Sequence, residues 1–423
     1  MDAVAILSIT VALVAYGLVS QKLDGSVLTG PMLFSVFGFL AGPAYFGLIE
    51  IQVSNESLHL LAEVTLILVL FSDAASIDLM QLRRDHNLPV RMLLLGMPLS
   101  IALGTIVAVL MFDGLDIWEA ALLAAVLAPT DAALGRAVVI NPRVPVRIRQ
   151  ALNVESGLND GIALPFILIF IAIAGAMSAD IDAGAWLVVG AQQLGFGLLA
   201  GVAVGYVGAK LVAACNRAQW MSELAEGMIA LGLAFGAWAL AELVHGNGFI
   251  AAFVAGLTFG NTLQSKCRYL YEFAESEGQI LVLLTFAAFG GAMLPQALEM
   301  MTITCVVFAL LALTVLRMLP VQVSLLGTGI RPATTAFLGW FGPRGLASIL
   351  FALLIVEESE LSGESTVFTV VTITVALSVL LHGMSAGPAA RWYGAMTDDM
   401  GECPENKPVS AEPFSPRSAA QQD

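Results

Sequence analysis

Thirteen apolar runs, at about 3–19, 26–49, 57–79, 90–112, 117–140, 150–177, 185–213, 222–244, 248–264, 278–294, 301–326, 333–356 and 364–386, leave little of the chain outside them. Each is long enough to cross a hydrocarbon layer roughly 30 Å thick, which takes about 17 to 25 residues of helix. In oil the backbone must satisfy its own hydrogen bonds, so such runs become helices. The expected fold class is an all-α polytopic membrane protein with about 13 transmembrane helices. With 58% hydrophobic and 12% charged residues, the chain lies far outside the range of soluble globular proteins. The first run, AVAILSITVALVAYGLV, follows only Met1 and Asp2, without the basic residues of a secretory signal, and is expected to stay as a helix.

An odd number of spans puts the termini on opposite sides, and the positive-inside rule chooses the orientation. With the N-terminus outside and the C-terminus cytoplasmic, the inner loops receive Lys22, Arg83, Arg84, Arg91, Arg143, Arg147, Arg149, Arg217, Lys266, Arg268 and Arg331. The outer loops receive no Lys or Arg and hold Glu50, Asp113, Asp116, Asp180, Asp182, Glu299, Glu357, Glu358 and Glu360. One helix more or fewer would scramble this separation, which therefore supports thirteen. The net charge of −15 is an outward acidic rim plus a tail, and no basic patch offers itself to nucleic acid. Cys215, Cys267 and Cys403 fall on the inner side and Cys305 within a span, suggesting neither a disulfide nor a metal site. Residues 1–396 read as one transmembrane domain in the cell (inner) membrane, and 397–423, polar and proline-containing, as a short disordered cytoplasmic tail.

Splitting the spans as six, one and six makes the fifth span of each half correspond, and both fifth spans carry a breaker. One is Pro129 in VLAPTDAALG, the other Gly342 and Pro343 in GWFGPRGLAS. The match suggests inverted repeats, at about 1–177 and 222–386. Each break frees backbone groups that lipid cannot satisfy, so both must be buried in protein or line a wet cavity. Each also carries a charge, Asp131 or Arg344, of the sign that would neutralise an exposed helix end. The alternative is an ordinary kink at Pro129 and an Arg344 that snorkels inward.

The stretch NVESGLNDGIAL at 153–164 places two carboxylates and two asparagines inside a span. An ionised side chain near the bilayer centre costs about 2.5 to 3.5 kcal/mol even on lenient insertion scales, so two require a reason. Ser156 and Asp160, four apart, share a helix face where a hydroxyl and a carboxylate could hold one small cation. Glu155 and Asn159 form a second pair rotated by about 100°. Gly157 and Gly161 leave a groove for another helix. Thr130 on the broken fifth helix is the neutral partner for the ion. One such carboxylate can hold either a proton or a cation near neutral pH, the physical basis of obligatory counter-transport. Glu155 needs a counter-ion, and Arg317, well inside the eleventh span, is the candidate; a snorkelling Arg317 is the alternative. Asp73 in the third span is a further candidate ligand or a helix-end residue. Glu63, Glu242 and His245 lie nearer helix ends and read as structural.

These residues resemble the monovalent cation:proton antiporter-1 family, the sodium/proton exchangers of bacteria with animal relatives. The resemblance covers the whole membrane portion and rests on APTD at 128–131, ESGLND at 155–160, NGFIAAFVAGL at 247–257, Arg317 and GPRG at 342–345. It implies an elevator-type homodimer, in which a core of broken and ion-carrying helices slides against a dimer-forming scaffold, exchanging Na+, and also Li+, for H+ in a setting of pH homeostasis. It implies that Asp160 carries the ion, helped by Thr130, Ser156 and Asn159, while Glu155 pairs with Arg317. Asn159 stands where electrogenic relatives have a second aspartate, so the chain resembles the electroneutral branch. Many relatives carry Glu near Ser72 or Asp73, and this chain does not.

The leading function is a secondary antiporter, with membrane lipid and the two ions as partners and no cofactor beyond the transported ions. A K+/H+ antiporter is the alternative substrate reading. A membrane sensor on the transporter fold would call for a sizeable output domain, and matched helix breaks favour alternating access over a channel. An enzyme is not expected, since no Ser/His/Asp or metal-ligand set converges.

Overall fold

The computed structural model describes residues 3–23, 26–50, 52–54, 56–84, 87–139, 141–178, 183–263, 268–358, 361–398 and 404–406. Met1, Asp2, Asp180, Asp182, Glu360, Lys266, Cys267, Cys403 and most of the expected tail lie outside the described residues, as do the side chains of Arg83, Arg84, Arg268, Glu357 and Glu358. In chain order the helices are α1 (Ala3–Leu23), α2 (Gly30–Ala41), α3 (Glu56–Ser76), α4 (Leu79–Arg84), α5 (Asn87–Arg91), α6 (Met97–Met111), α7 (Ile117–Val126) and α8 (Ala132–Val139). There follow α9 (Val146–Ser178), α10 (Ala183–Arg217), α11 (Glu223–Leu243), α12 (Gly248–Thr262), α13 (Arg268–Ala288), α14 (Leu294–Met300) and α15 (Ile303–Leu313). The last are α16 (Val315–Ser324), α17 (Pro332–Trp340), α18 (Leu346–Glu358) and α19 (Glu364–Asp398). Among the described residues, eight helical stretches are long and apolar enough to cross a membrane, and five shorter apolar helices accompany them.

The helices depart from the apolar runs where other forces act. Runs 117–140 and 333–356 each become two half-helices, α7 with α8 and α17 with α18. A π-helical turn, Met92–Gly96, precedes Pro98, and another, Phe289–Met293, precedes Pro295. A proline ring clashes with the carbonyl four residues back, and a turn widened to an i+5 bond relieves the clash. The i+5 bonds are those of Met97 N–H to Met92 and Leu294 N–H to Phe289. Run 301–326 is interrupted at Thr314 (φ −115°, ψ −91°), between α15 and α16. Run 26–49 yields only the helix Gly30–Ala41, started by the Thr29 side chain and ended before Pro43. Helix α19 continues past 386 to Asp398, because Tyr393 on this extension stacks on Phe337 with ring centroids 4.1 Å apart.

The described residues form two compact units, Met1–Ala62 with Asn87–Ser156 and Val282–Asp423, and Glu63–His86 with Gly157–Leu281. Each expected repeat contributes to both. In the first unit, α19 is the centre: it packs against α2, α7, α8, α14, α15 and α18. An apolar core of Leu88, Met92, Val144, Ile148, Phe337 and Tyr393 fills one end. Three residues of the expected tail, Pro404–Asn406, form a 3-10 turn there; buried Glu405 accepts from Arg331 N–H (2.8 Å) and the Thr334 hydroxyl (3.0 Å). At the start of α7, Asp116 and Glu119 form a reciprocal capping box. Buried Glu119 also accepts from Ser362 Oγ (2.9 Å) and Gly363 N–H (2.8 Å), which ties α7 to the entry of α19.

The second unit rests on small residues. Gly197, Gly201 and Gly205 recur every fourth residue along α10, and Asn247, Ala251 and Ala255 turn their carbonyls toward them. A Cβ on Gly201 would lie 2.6 Å from the Ala251 carbonyl oxygen, so backbones meet where side chains normally would. Glu242 accepts from Gly248 N–H (2.9 Å) and helps cap α12, and His245 sits in a left-handed turn (φ 58°). Gly201→Leu is expected to cost about 1 to 3 kcal/mol through overpacking. Thermal unfolding of the purified protein in detergent checks it against Gly190→Leu, where nothing lies within 4 Å and no loss is expected.

Candidate functional site

The two helix breaks meet within the first unit, and each supplies the charge the other lacks. After α7 ends at Val126, residues 127–131 leave helical geometry and orphan the last carbonyls. Arg344, from the second break, donates through Nη1 to the carbonyls of Ala128 (2.9 Å) and Pro129 (3.0 Å). Asp131, from the first break, accepts Leu346 N–H at 2.7 Å, the first amide of α18, and Leu134 N–H at 3.3 Å in α8. One carboxylate thus covers the positive ends of two half-helices, and one guanidinium covers the negative end of a third. Asp131 N–H also donates to the Pro343 carbonyl (2.8 Å), which joins the two unwound segments directly. A Cβ on Gly345 would run into the Asp131 carboxylate.

The first break presents Thr130 to α9, where its hydroxyl lies 3.0 Å from that of Ser156, both buried. On the neighbouring position of α9, Glu155 Oε1 lies 2.5 Å from Arg317 Nη2, with both side chains about 2% exposed or less. Arg317 comes from α16, beyond the interruption at Thr314, and does not snorkel to an interface. Its guanidinium lies against Gly342, where a Cβ would sit 2.5 Å from Nε. Glycine is required at this point of the second break because a buried arginine occupies the space of a side chain. Glu155, Asp131, Arg317 and Arg344 are all buried, two charges of each sign.

Asn159 and Asp160 follow one turn further along α9, on the part that belongs to the second unit. Both are buried. In that unit a Cβ on Gly157 would lie 3.0 Å from Ile77 Cδ1 and 3.7 Å from the Asp73 carbonyl oxygen, while Gly161 is covered by the Phe253 ring of α12. Asp73 lies half-buried near the end of α3, its carbonyl accepting from Ser76 Oγ at 2.7 Å. The structure therefore brings together Thr130 with Ser156, Glu155 with Arg317, and Asp131 with the Arg344 segment; Asp73 meets the glycine face of α9 through its backbone.

Some polar residues of the break network are absent from the sequence reading. Ser378 and His382, four apart on α19, are fully buried and bind the second break at Arg344 and Trp340. The signal was a serine and a histidine at helical spacing inside an apolar run, ALSVLLHG. Among the described residues, no group of three or more His, Cys, Asp or Glu side chains could hold a metal ion together.

Comparison with known proteins gives this arrangement a context. The chain is 26% identical over 390 residues to the K(+)/H(+) antiporter NhaP of Alkalimonas amylolytica, covering 89% of this chain and 64% of that protein. It is 26% identical over 349 residues to the Na(+)/H(+) antiporter NhaP of Pseudomonas aeruginosa, covering 76% of this chain and 78% of that protein. The chain spans between half and just under two thirds of the length of the potassium/proton antiporters it matches. The structure is similar to that of the sodium proton antiporter MjNhaP1 from Methanocaldococcus jannaschii, with a TM-score of 0.75 at 20% identity, covering 92% of this chain and 98% of that one. That likeness shows a shared fold. The sodium/hydrogen exchanger transmembrane family model matches residues 8–392, and the chain is a multi-pass membrane protein that belongs to this family.

Proposed function

We propose that the protein is a secondary transporter that exchanges a monovalent cation for a proton, with Asp160 as the carboxylate that both ions share. The observation that carries this reading is the pair of crossed, charge-compensated helix breaks, which hold Thr130 against Ser156 one turn before Asp160 on α9. The candidates that the sequence offers for neutral oxygens around a weakly bound ion are Thr130, Ser156 and Asn159, with Asp73 as a further candidate. Glu155 and Arg317 form a structural pair that fixes α9 and leaves the exchange to Asp160. A single exchanging carboxylate carries the same charge in both directions, which makes the exchange electroneutral. Sodium and lithium are the proposed cations. Potassium is the second reading, favoured by relatives named as K(+)/H(+) antiporters. Homodimer formation, elevator-type alternation and a cytoplasmic C-terminus belong to the same proposal.

The test uses purified protein in liposomes with an internal pH dye. Sodium or lithium chloride is expected to dissipate an imposed pH gradient, and the end point is expected to stay fixed when a potassium and valinomycin clamp sets the potential. Dissipation by potassium alone would reassign the cation. A shifting end point would bring in a second titrating group, Asp131 or Asp73 first. No dissipation with any cation would leave a membrane sensor as the better reading.

A further inference from the structure

We infer that His382 is a positioning residue for cation binding, acting through the second helix break. This rests on the transport reading above. Helix α19 presents Ser378, His382 and Ser385 at i, i+4 and i+7, along one stripe of the helix. All three bind the end of α17 or the unwound segment after it. Arg344 N–H donates to Ser378 Oγ at 2.7 Å. Ser378 Oγ lies 3.1 Å from His382 Nδ1, and His382 Nε2 lies 2.9 Å from the Trp340 carbonyl. Trp340 Nε1–H donates to Ser385 Oγ at 2.9 Å, and its ring lies over the imidazole with centroids 4.9 Å apart.

The donors and acceptors fit one tautomer. With the proton on Nε2, the imidazole donates to Trp340 and accepts the Ser378 hydroxyl at Nδ1, which leaves Ser378 Oγ to accept from Arg344. The other tautomer would donate to Ser378's own carbonyl, 3.1 Å away, and withdraw the Trp340 bond. The relay therefore fastens the last carbonyl of α17 and the amide of Arg344 to a single turn of α19. Both ends of the unwound segment are held, and Pro343 and Arg344 between them hold Asp131, Pro129 and Ala128 of the first break. Thr130 lies within that clamped stretch. Loss of the His382 bond leaves the Trp340 carbonyl with the Gly342 N–H alone (2.9 Å) and loosens the second break, and through it the first, so that cation binding must order Thr130 afresh.

The test compares His382→Leu and His382→Gln with the unaltered protein in the liposome assay, reading the apparent KM for the cation separately from the maximal rate. The Leu variant removes the donor, and the KM is expected to rise about tenfold, equivalent to one buried hydrogen bond, with a smaller fall in maximal rate. The Gln variant places an amide N–H near the position of Nε2 and is expected to recover most of the KM. Hydrogen exchange of the Phe341, Gly342, Arg344 and Gly345 amides in detergent gives a readout independent of transport: faster in Leu, close to the unaltered protein in Gln. If the Leu variant fails to fold, Ser378→Ala takes its place with the same expectations. Equal KM values in the unaltered protein and the Leu variant, or equal exchange at these amides, overturn the inference. An unaltered protein that moves no cation overturns the transport reading instead, and the exchange measurement still decides whether His382 holds the break.

Discussion

Asp160→Asn is expected to reduce cation–proton exchange to the background of empty liposomes while the protein remains folded. The amide keeps the volume and most of the hydrogen-bonding capacity of the carboxyl group, so packing around α9 has little reason to change. It can neither release a proton nor balance a cation, so under the proposed function both half-reactions lose their carrier together. A monodisperse elution profile and an unchanged melting temperature must accompany the loss, or the loss says nothing about exchange. Residual transport near that of the unaltered protein would sink the mechanism and shift attention to Asp73 and Asp131. Asn159→Asp is the informative companion. Two adjacent carboxylates titrate as a coupled pair, and a protein that gains a potential-dependent end point through this change has gained a second proton.

The second large effect falls on stability. Glu155→Gln and Arg317→Ala are each expected to cost about 3 to 5 kcal/mol, because each strands the other partner as a buried, unpaired charge. Both side chains are almost wholly inaccessible and 2.5 Å apart, so water offers little relief. Against a total stability of about 5 to 15 kcal/mol, either change should sharply lower the yield of folded protein. The double variant, Glu155→Gln with Arg317→Met, removes both charges and lays an unbranched apolar chain over Gly342. It is expected to recover part of the loss. Thermal unfolding in detergent decides: a double variant as unstable as the sum of the singles would mean that the two groups are not energetically coupled.

Hydropathy alone located nearly every helix, because a lipid-spanning segment has to be apolar along its length and the backbone there has one solution. The break positions were also legible, since Pro129 and the Gly342–Pro343 pair cannot continue a helix. So were Glu155 and Asp160, conspicuous because charge inside a span is costly. Other features carried a local signal of a weaker kind. Pro98 and Pro295 precede nothing that a hydropathy window registers, yet each forces a π-helical turn, and the extension of α19 to Asp398 is too polar for such a window although Tyr393 is fully buried.

What the sequence left open was which group answers which. Each break carries a charge of useful sign, but the sequence offers no reason why Arg344 should serve the carbonyls of the other break and Asp131 the amides of α18. That exchange follows from bringing residues more than two hundred positions apart within 3 Å, which depends on how α7 and α18 pack around α19. The same holds for Gly342, whose need for a bare Cα comes from a guanidinium on α16, and for His382, which reads as one polar residue in an apolar run until Trp340 is set against it. A charge in a membrane span is visible in the chain because its cost is local; its partner is decided in three dimensions, because the compensating groups come from whatever backbone the packing leaves unsatisfied.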